Sequence, residues 1–293
     1  MRTYSALLQP ARFVSWRSRA ALYLGRNPVE RAAIEANHEL RGRHNGSRCF
    51  ILGNGPSLRD EDLSLLAGEF TFTVNNLVAE RVGAPSPSYH VISDRRFFSA
   101  DGDTASGRWM RDELTEIVSA RGECDARPPT TFVPSSEKGR LEGFLSGHAH
   151  DLRYFCNPFY FSDYYQIDDD ITSVIPRFSS VIQHAILIAA FMGFEEIYLL
   201  GCDATNIVAN ISTALETSVE SSYAYEVTSE LDSWLRLQYD KRNMERCAES
   251  FLEVMIAFRF ISYFADKRGI KLVNCSSKTV VDSIARAKLR DIL

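Results

Sequence analysis

The apolar run Cys49-Phe50-Ile51-Leu52 stops abruptly in Gly53-Asn54-Gly55-Pro56-Ser57-Leu58, and no other stretch limits the possible folds as strongly. Such a run, ending in glycines, reads as a buried strand that delivers its carboxyl end to a tight turn. Two glycines let backbone N–H groups approach a ligand closely. Pro56 suits the first turn of a following helix, whose positive end faces an anion. Ser57 adds a hydroxyl at the same place. The full G-x-G-x-x-G fingerprint is absent, so the turn alone fits a plain connection as well as a phosphate loop.

The stretches that follow repeat the pattern. A strand over 70–74 ends in Asn75-Asn76, and one over 89–92 ends in Ser93-Asp94-Arg95-Arg96. In an open α/β sheet the ligand lies outside the carboxyl ends of the strands, which brings Asn54, Asn75 and Asp94 to one crevice. Asn and Asp also favour turns on their own account, and only the three together argue for a site. Short strands are expected over 130–133 and 151–156, and a short amphipathic helix after Asp60-Glu61-Asp62. The aromatic stretch from Asn157 to Tyr165 suits stacking on a base or sugar, or loop packing. Asp168-Asp169-Asp170 reads as a metal site or as a solvated loop.

A second strong block begins at Arg177-Phe178-Ser179-Ser180, just before an almost wholly apolar helix over 181–192. A helix entered through an arginine and two hydroxyls is another place to hold an anion. His184, inside that helix, reads as a packed core histidine. Gly193 ends the helix, and a buried strand over 195–200 terminates in Gly201-Cys202-Asp203. Residues 204–240 are irregular, rich in Ser and Thr and acidic, which suggests a lid over the crevice. Cys247, Phe251, Val254, Met255, Phe258, Ile261 and Ala265 then recur at helical spacing up to Gly269. A last strand over 270–274 and a terminal helix over 278–293 complete the expectation: an α/β, Rossmann-like, mostly parallel sheet flanked by helices, with a lid before the last long helix.

Composition excludes several classes. A chain of 293 residues, 45% hydrophobic, can bury a full core as one large domain or as one domain plus an appendage. A net charge of -5 argues against a general nucleic-acid binder, which needs a basic face. The six cysteines are scattered with no C-x-x-C pair, so no structural zinc site is expected and a reducing cytoplasm is. No run reaches the roughly 18 apolar residues of a membrane span. The first 31 residues set Arg2, Arg12, Arg17, Arg19, Arg26 and Arg31 against one acid, Glu30, among Phe13, Trp16, Leu22 and other apolar residues. That pattern fits a basic amphipathic segment on the inner, anionic face of the cell membrane, or a helix packed on the body or on another subunit of a homo-oligomer. The expected division is an N-terminal helical segment, 1–46, and a Rossmann-like domain, 47–293, with a lid at about 204–240.

The blocks Gly53 to Leu58, Phe72-Thr73-Val74-Asn75-Asn76, Arg177 to Ser180, and Gly193-Phe194-Glu195-Glu196-Ile197-Tyr198-Leu199-Leu200-Gly201-Cys202-Asp203 resemble the bacterial sialyltransferases of glycosyltransferase family 42. They also resemble the 6-hydroxymethylpterin diphosphokinase-like domain of motility-associated factors, in which the third strand ends in Asp, as at Asp94. The first resemblance implies a GT-A-like domain that binds a CMP-sugar without a metal cofactor and transfers the sugar with inversion to a glycan or lipid-linked acceptor. It implies donor contacts from Asn54, Gly55, Ser57, Asn75, Arg177, Ser179, Ser180 and Asp203. The family's general base is a lid His, and 204–240 contains none, which leaves Asp94, Asp232, Tyr239 and Asp240 as candidates. The second resemblance implies an ATP-dependent diphosphokinase with Mg²⁺ held by carboxylates such as Asp94, Asp203 and those of 168–170. The missing His also fits a catalytically silent nucleotide-binding module.

Overall fold

All eight strands run parallel in one sheet of order β5-β4-β3-β2-β1-β6-β7-β8 in the computed structural model, which describes residues 9–98, 105–118, 128–145, 150–205, 207–208, 211, 224 and 244–293. The strands are β1 Arg48–Leu52, β2 Phe70–Val74, β3 Tyr89–Val91, β4 Thr130–Pro134, β5 Asp151–Phe155, β6 Glu196–Leu200, β7 Lys271–Asn274 and β8 Ala285–Arg286. Parallel strands bury both faces, which is why β1 and β6 read as apolar runs after their first residue and why the threonines of β2, Thr71 and Thr73, are buried. Phe50, Leu52, Tyr198 and Leu200 point into a core shared with Trp16, Ile34, Leu58 and Leu66. Cys49, Ile51, Ile197 and Leu199 point the other way, into a core shared with the helices α6 and α7.

The α/β, Rossmann-like expectation is therefore met, with the sheet wholly parallel. The helices are α1 Gln9–Arg26, α2 Pro28–Glu35, α3 Ala105–Val118, α4 Lys138–Phe144, α5 Phe161–Tyr164, α6 Val181–Phe191 and α7 Met244–Arg268. Helix α6 is buried almost all round, and Gln183 Nε2 donates to the Val254 carbonyl of α7 at 2.9 Å. The chain lays down β1 to β5 outward in one direction, then returns to place β6 on the free side of β1. The order reverses between β1 and β6, the switch point of an open sheet.

Two local expectations are corrected. The segment after β1 forms two 3₁₀ turns, Pro56–Asp60 and Leu63–Leu66, instead of an α-helix. Asp62 caps the second turn, taking the Ser64 N–H at 3.2 Å and its hydroxyl at 2.6 Å. The C-terminal stretch holds β8 and a 3₁₀ turn, Leu289–Asp291, instead of a helix over 278–293. Here Thr279 Oγ1 bonds the Cys202 carbonyl at 2.8 Å and receives the Val281 N–H at 3.1 Å, and Val281, Ile284 and Leu289 are buried. These anchors hold the segment against the sheet in extended form.

The N-terminal helices pack on the carboxyl ends of β4 and β5. Trp16 is 1% exposed and meets Phe159 and Tyr164 edge-on, at centroid distances of 5.9 and 5.3 Å. Buried Asn37 donates to the carbonyls of Tyr154 and Ile171 at 2.7 and 2.9 Å. Trp16 therefore belongs to the core and is not presented to a lipid surface. Among the described residues, no helix is long and apolar enough to cross a membrane.

Candidate functional site

The turn after β1 is locked to the turn after β6. Gly53 N–H bonds the Leu200 carbonyl at 2.7 Å, and Gly55 N–H bonds the Gly201 carbonyl at 2.9 Å. The next donors are used the same way, because Ser57 N–H meets Asp203 Oδ2 at 2.8 Å and the Ser57 hydroxyl donates to Asp203 Oδ1. Glycine is required by this approach: a Cβ on Gly55 would lie 2.5 Å from both the Asp203 Cγ and the Gly201 oxygen. The sequence expectation that Gly55 and Ser57 turn their donors toward a ligand is thus corrected. Ser57 is fully buried, and the anion this turn binds is the protein's own Asp203, 1% exposed. Burial pushes the Asp203 carboxyl above the usual carboxylate range, partly opposed by the two bonds from Ser57.

Asn54 stands at the rim of that lock. Its Nδ2 donates to Asn76 Oδ1 at 3.2 Å, and its Oδ1 is buried without a partner. One strand further along, Asn75 adopts φ 50, a left-handed conformation that Asn tolerates. Buried His90 supports it, with Nε2 donating to the Asn75 carbonyl at 2.8 Å while Nδ1 pairs with the Thr73 hydroxyl at 2.7 Å. Burial pushes the His90 ring down to about 4, so it is neutral at pH 7. The Asn75 side-chain oxygen takes the Ser93 N–H at 3.2 Å and so ties the end of β2 to the end of β3. Asp94 follows directly. The expected convergence of Asn54, Asn75 and Asp94 on adjacent strand ends corresponds to this geometry.

Arg177, partly buried, lies near Asp94 and Arg95, its guanidinium 4.6 Å from the Tyr160 ring centroid. Burial depresses its pKa, and the nearby positive charge of Arg95 depresses it further, against the pull of Tyr160 and Asp94. Arg95, in the 3₁₀ turn Arg95–Phe97 after β3, donates Nη2 to Asn157 Oδ1 at 3.3 Å. Asn157 in turn contacts His184 Nε2 at 3.2 Å, and Phe178 N–H points at the same nitrogen at 3.3 Å. Accepting both fixes a neutral ring with its proton on Nδ1. Burial, reinforced by Arg177 and Arg95, pushes His184 down to about 3.

The remaining sequence candidates are distributed differently. Ser180 is the residue before α6 and makes no side-chain cap, whereas Ser179 is exposed and bonds Glu253 of α7 at 3.0 Å. Asp170 caps Thr172 and pairs with Arg41 at 2.8 Å, and Asp169 pairs with Arg268 at 2.5 Å. That run is therefore neither a metal site nor a free acidic loop. Among the described residues, no group of three His, Cys, Asp or Glu side chains is arranged to hold a metal. Asp232, Tyr239 and Asp240 lie outside the described residues, as does most of the expected lid. Ala224 is described, and its N–H bonds the Asn54 carbonyl at 3.0 Å while its carbonyl receives Arg59 Nε at 3.1 Å.

The sequence places Arg95 only in the polar end of the third strand, and Asn157 and Tyr160 only in an aromatic stretch suited to stacking or loop packing. Their positions carry the signal: Asn157 lies two residues past the end of β5, and Arg95 follows Asp94 past the end of β3. No family model matches this chain, and no curated protein matches it.

Proposed function

We propose that this protein is a glycosyltransferase that passes a CMP-activated acidic sugar, of the nonulosonate or Kdo kind, to a surface glycan or lipid-linked acceptor. The observation that carries the reading is the polar rim across three neighbouring strand ends, from Asn54 and Asn76 through Asn75 and Ser93 to Asp94, with Arg177 near Asp94. Amide groups of this kind suit the base and sugar hydroxyls of a nucleotide, and an arginine suits its phosphate. The unpartnered Asn54 Oδ1 is an acceptor that awaits a donor such as an exocyclic amine.

In the proposed reaction the acceptor hydroxyl attacks the anomeric carbon and the bond to the phosphate oxygen breaks. The electron pair leaves with CMP, whose developing charge Arg177 stabilises. Asp94, beside Arg177, takes the hydroxyl proton. No step needs a metal cofactor. The diphosphokinase alternative draws less support, since Asp203 is bound under the turn and Asp169 and Asp170 are committed to arginines. Work at the inner face of a membrane belongs to the same proposal, with exposed Leu22, Arg26 and Val29 as the surface for anionic lipid.

The test is CMP release from CMP-activated acidic sugars, with and without acceptor, in wild type and Arg177→Ala. A charged contact to phosphate is worth roughly 1.5–3 kcal/mol, so the variant should bind donor about 10- to 150-fold more weakly with an unchanged melting temperature. No CMP release from any such donor, together with turnover of ATP, would overturn the reading.

A further inference from the structure

We infer that Arg95 and Arg177 together form a seat for a phosphoryl oxyanion, and that Asn157 and His184 are the positioning residues that hold it open. The inference rests on the reading of Arg177 as part of the donor crevice. It adds a second guanidinium, the chemistry of the ligand and the residues that keep the seat charged.

Three observations carry it. Arg95 Nε is buried and makes no hydrogen bond, a condition that buried donors rarely tolerate in the absence of a ligand. The two guanidiniums belong to one cluster, since Arg95 rests on Asn157, Asn157 and the N–H of Phe178, next to Arg177, meet at His184 Nε2, and Arg95 depresses the proton affinity of Arg177. Like charges this near each other are held against repulsion unless an anion lies between them. Finally, the support beneath Arg95 is neutral: Nη2 rests on the Asn157 amide, itself 3% exposed, which rests on the His184 ring, 1% exposed. A carboxylate at position 157 would have quenched the charge, whereas an amide fixes the guanidinium and leaves the charge for a ligand.

The surrounding groups do not cancel the pair. Asp94 supplies one negative charge against two positive ones, and Tyr160 contributes a ring face to Arg177. Glu30 belongs to α2, on the side of the N-terminal helices. It is occupied by the Tyr23 hydroxyl at 2.7 Å, the Ser135 hydroxyl and the Cys156 thiol at 3.6 Å. Planar five-donor groups from two directions match a tetrahedral oxyanion with several acceptor oxygens.

Titration calorimetry with inorganic phosphate, CMP and cytidine tests this on the full chain. Wild type should bind phosphate and should bind CMP at least 10-fold more tightly than cytidine, with phosphate competing against CMP. Arg95→Gln should weaken phosphate and CMP at least 10-fold and leave cytidine unchanged. Arg95→Lys should recover part of that loss because it restores the charge. Asn157→Leu should reproduce the Arg95→Gln pattern with cytidine affinity retained, a split that a merely destabilising change would not give. Failure of phosphate to bind or to compete in wild type overturns the seat, as does unchanged phosphate affinity in Arg95→Gln. A seat that binds phosphate without any preference for CMP over purine nucleotides leaves this inference standing and removes the proposed function. A CMP preference indifferent to Arg95 does the reverse.

Discussion

Ser57 changes role between sequence and structure, and its case shows what a residue type can and cannot tell. A serine in a glycine turn after a strand was expected to face a phosphate, and instead both its donors hold the buried carboxylate of Asp203. Ser57→Ala should therefore lower stability by about 1.5–3 kcal/mol, the worth of a bond to a charged group, and leave nucleotide affinity alone. Denaturant unfolding and calorimetry on the same variant separate the outcomes, and an affinity loss at unchanged stability would restore the original assignment. Gly55→Ala should be more damaging, about 3 kcal/mol, because the new Cβ would meet Asp203 Cγ and the Gly201 carbonyl at 2.5 Å. The positions of Asn54, Asn75 and Asp94 were legible because a strand end forces the next residues to the rim. The partner of Ser57 was not, since Asp203 is 146 residues away in the chain and only the return of the chain to β6 brings them together.

Among the elements, β1, β6 and α6 were legible because burial on all sides demands apolar runs that few other structures tolerate, whereas β2 to β5 and β7 were legible from β-branched and aromatic residues bounded by turn residues. The expected helix at the C-terminus failed where Thr279 bonds the backbone locally and overrides a permissive helical composition. Helix α1 had two readings, and the contacts of Trp16 with Phe159 and Tyr164 show that the face carrying Trp16 packs on the body. Trp16→Ala should cost about 3–5 kcal/mol, typical of truncating a buried tryptophan. Thermal melts of this variant and of a chain lacking residues 1–26 should both shift downward. A truncated chain with the melting temperature of the full protein would show the helix to be dispensable to the fold.

Burial lowers the pKa of His44, and it pushes those of His90 and His184, both neutral at pH 7, down to about 4 and about 3. Unfolding returns His90 and His184 toward the ordinary value of about 6.5, so below that pH the unfolded chain binds protons that the folded chain refuses. Stability is then complete above about pH 6.5 and falls as the pH drops toward 4 and 3. By pH 5.5 the loss should be about 1.4 kcal/mol for each ring. Urea midpoints at pH 7.5 and 5.5 check this, and equal stability at the two would contradict the neutral assignment of both rings.

The account depends most on the crevice at the carboxyl ends of β1 to β3 being a pyrimidine nucleotide site built around Arg177. Titration of wild type with CMP, UMP, GMP and ATP, repeated on Arg177→Ala, measures this directly. The expected result is tightest binding of CMP and a loss of about 10- to 150-fold in the variant at an unchanged melting temperature. Preference for a purine nucleotide, or CMP affinity unchanged in Arg177→Ala, would contradict it.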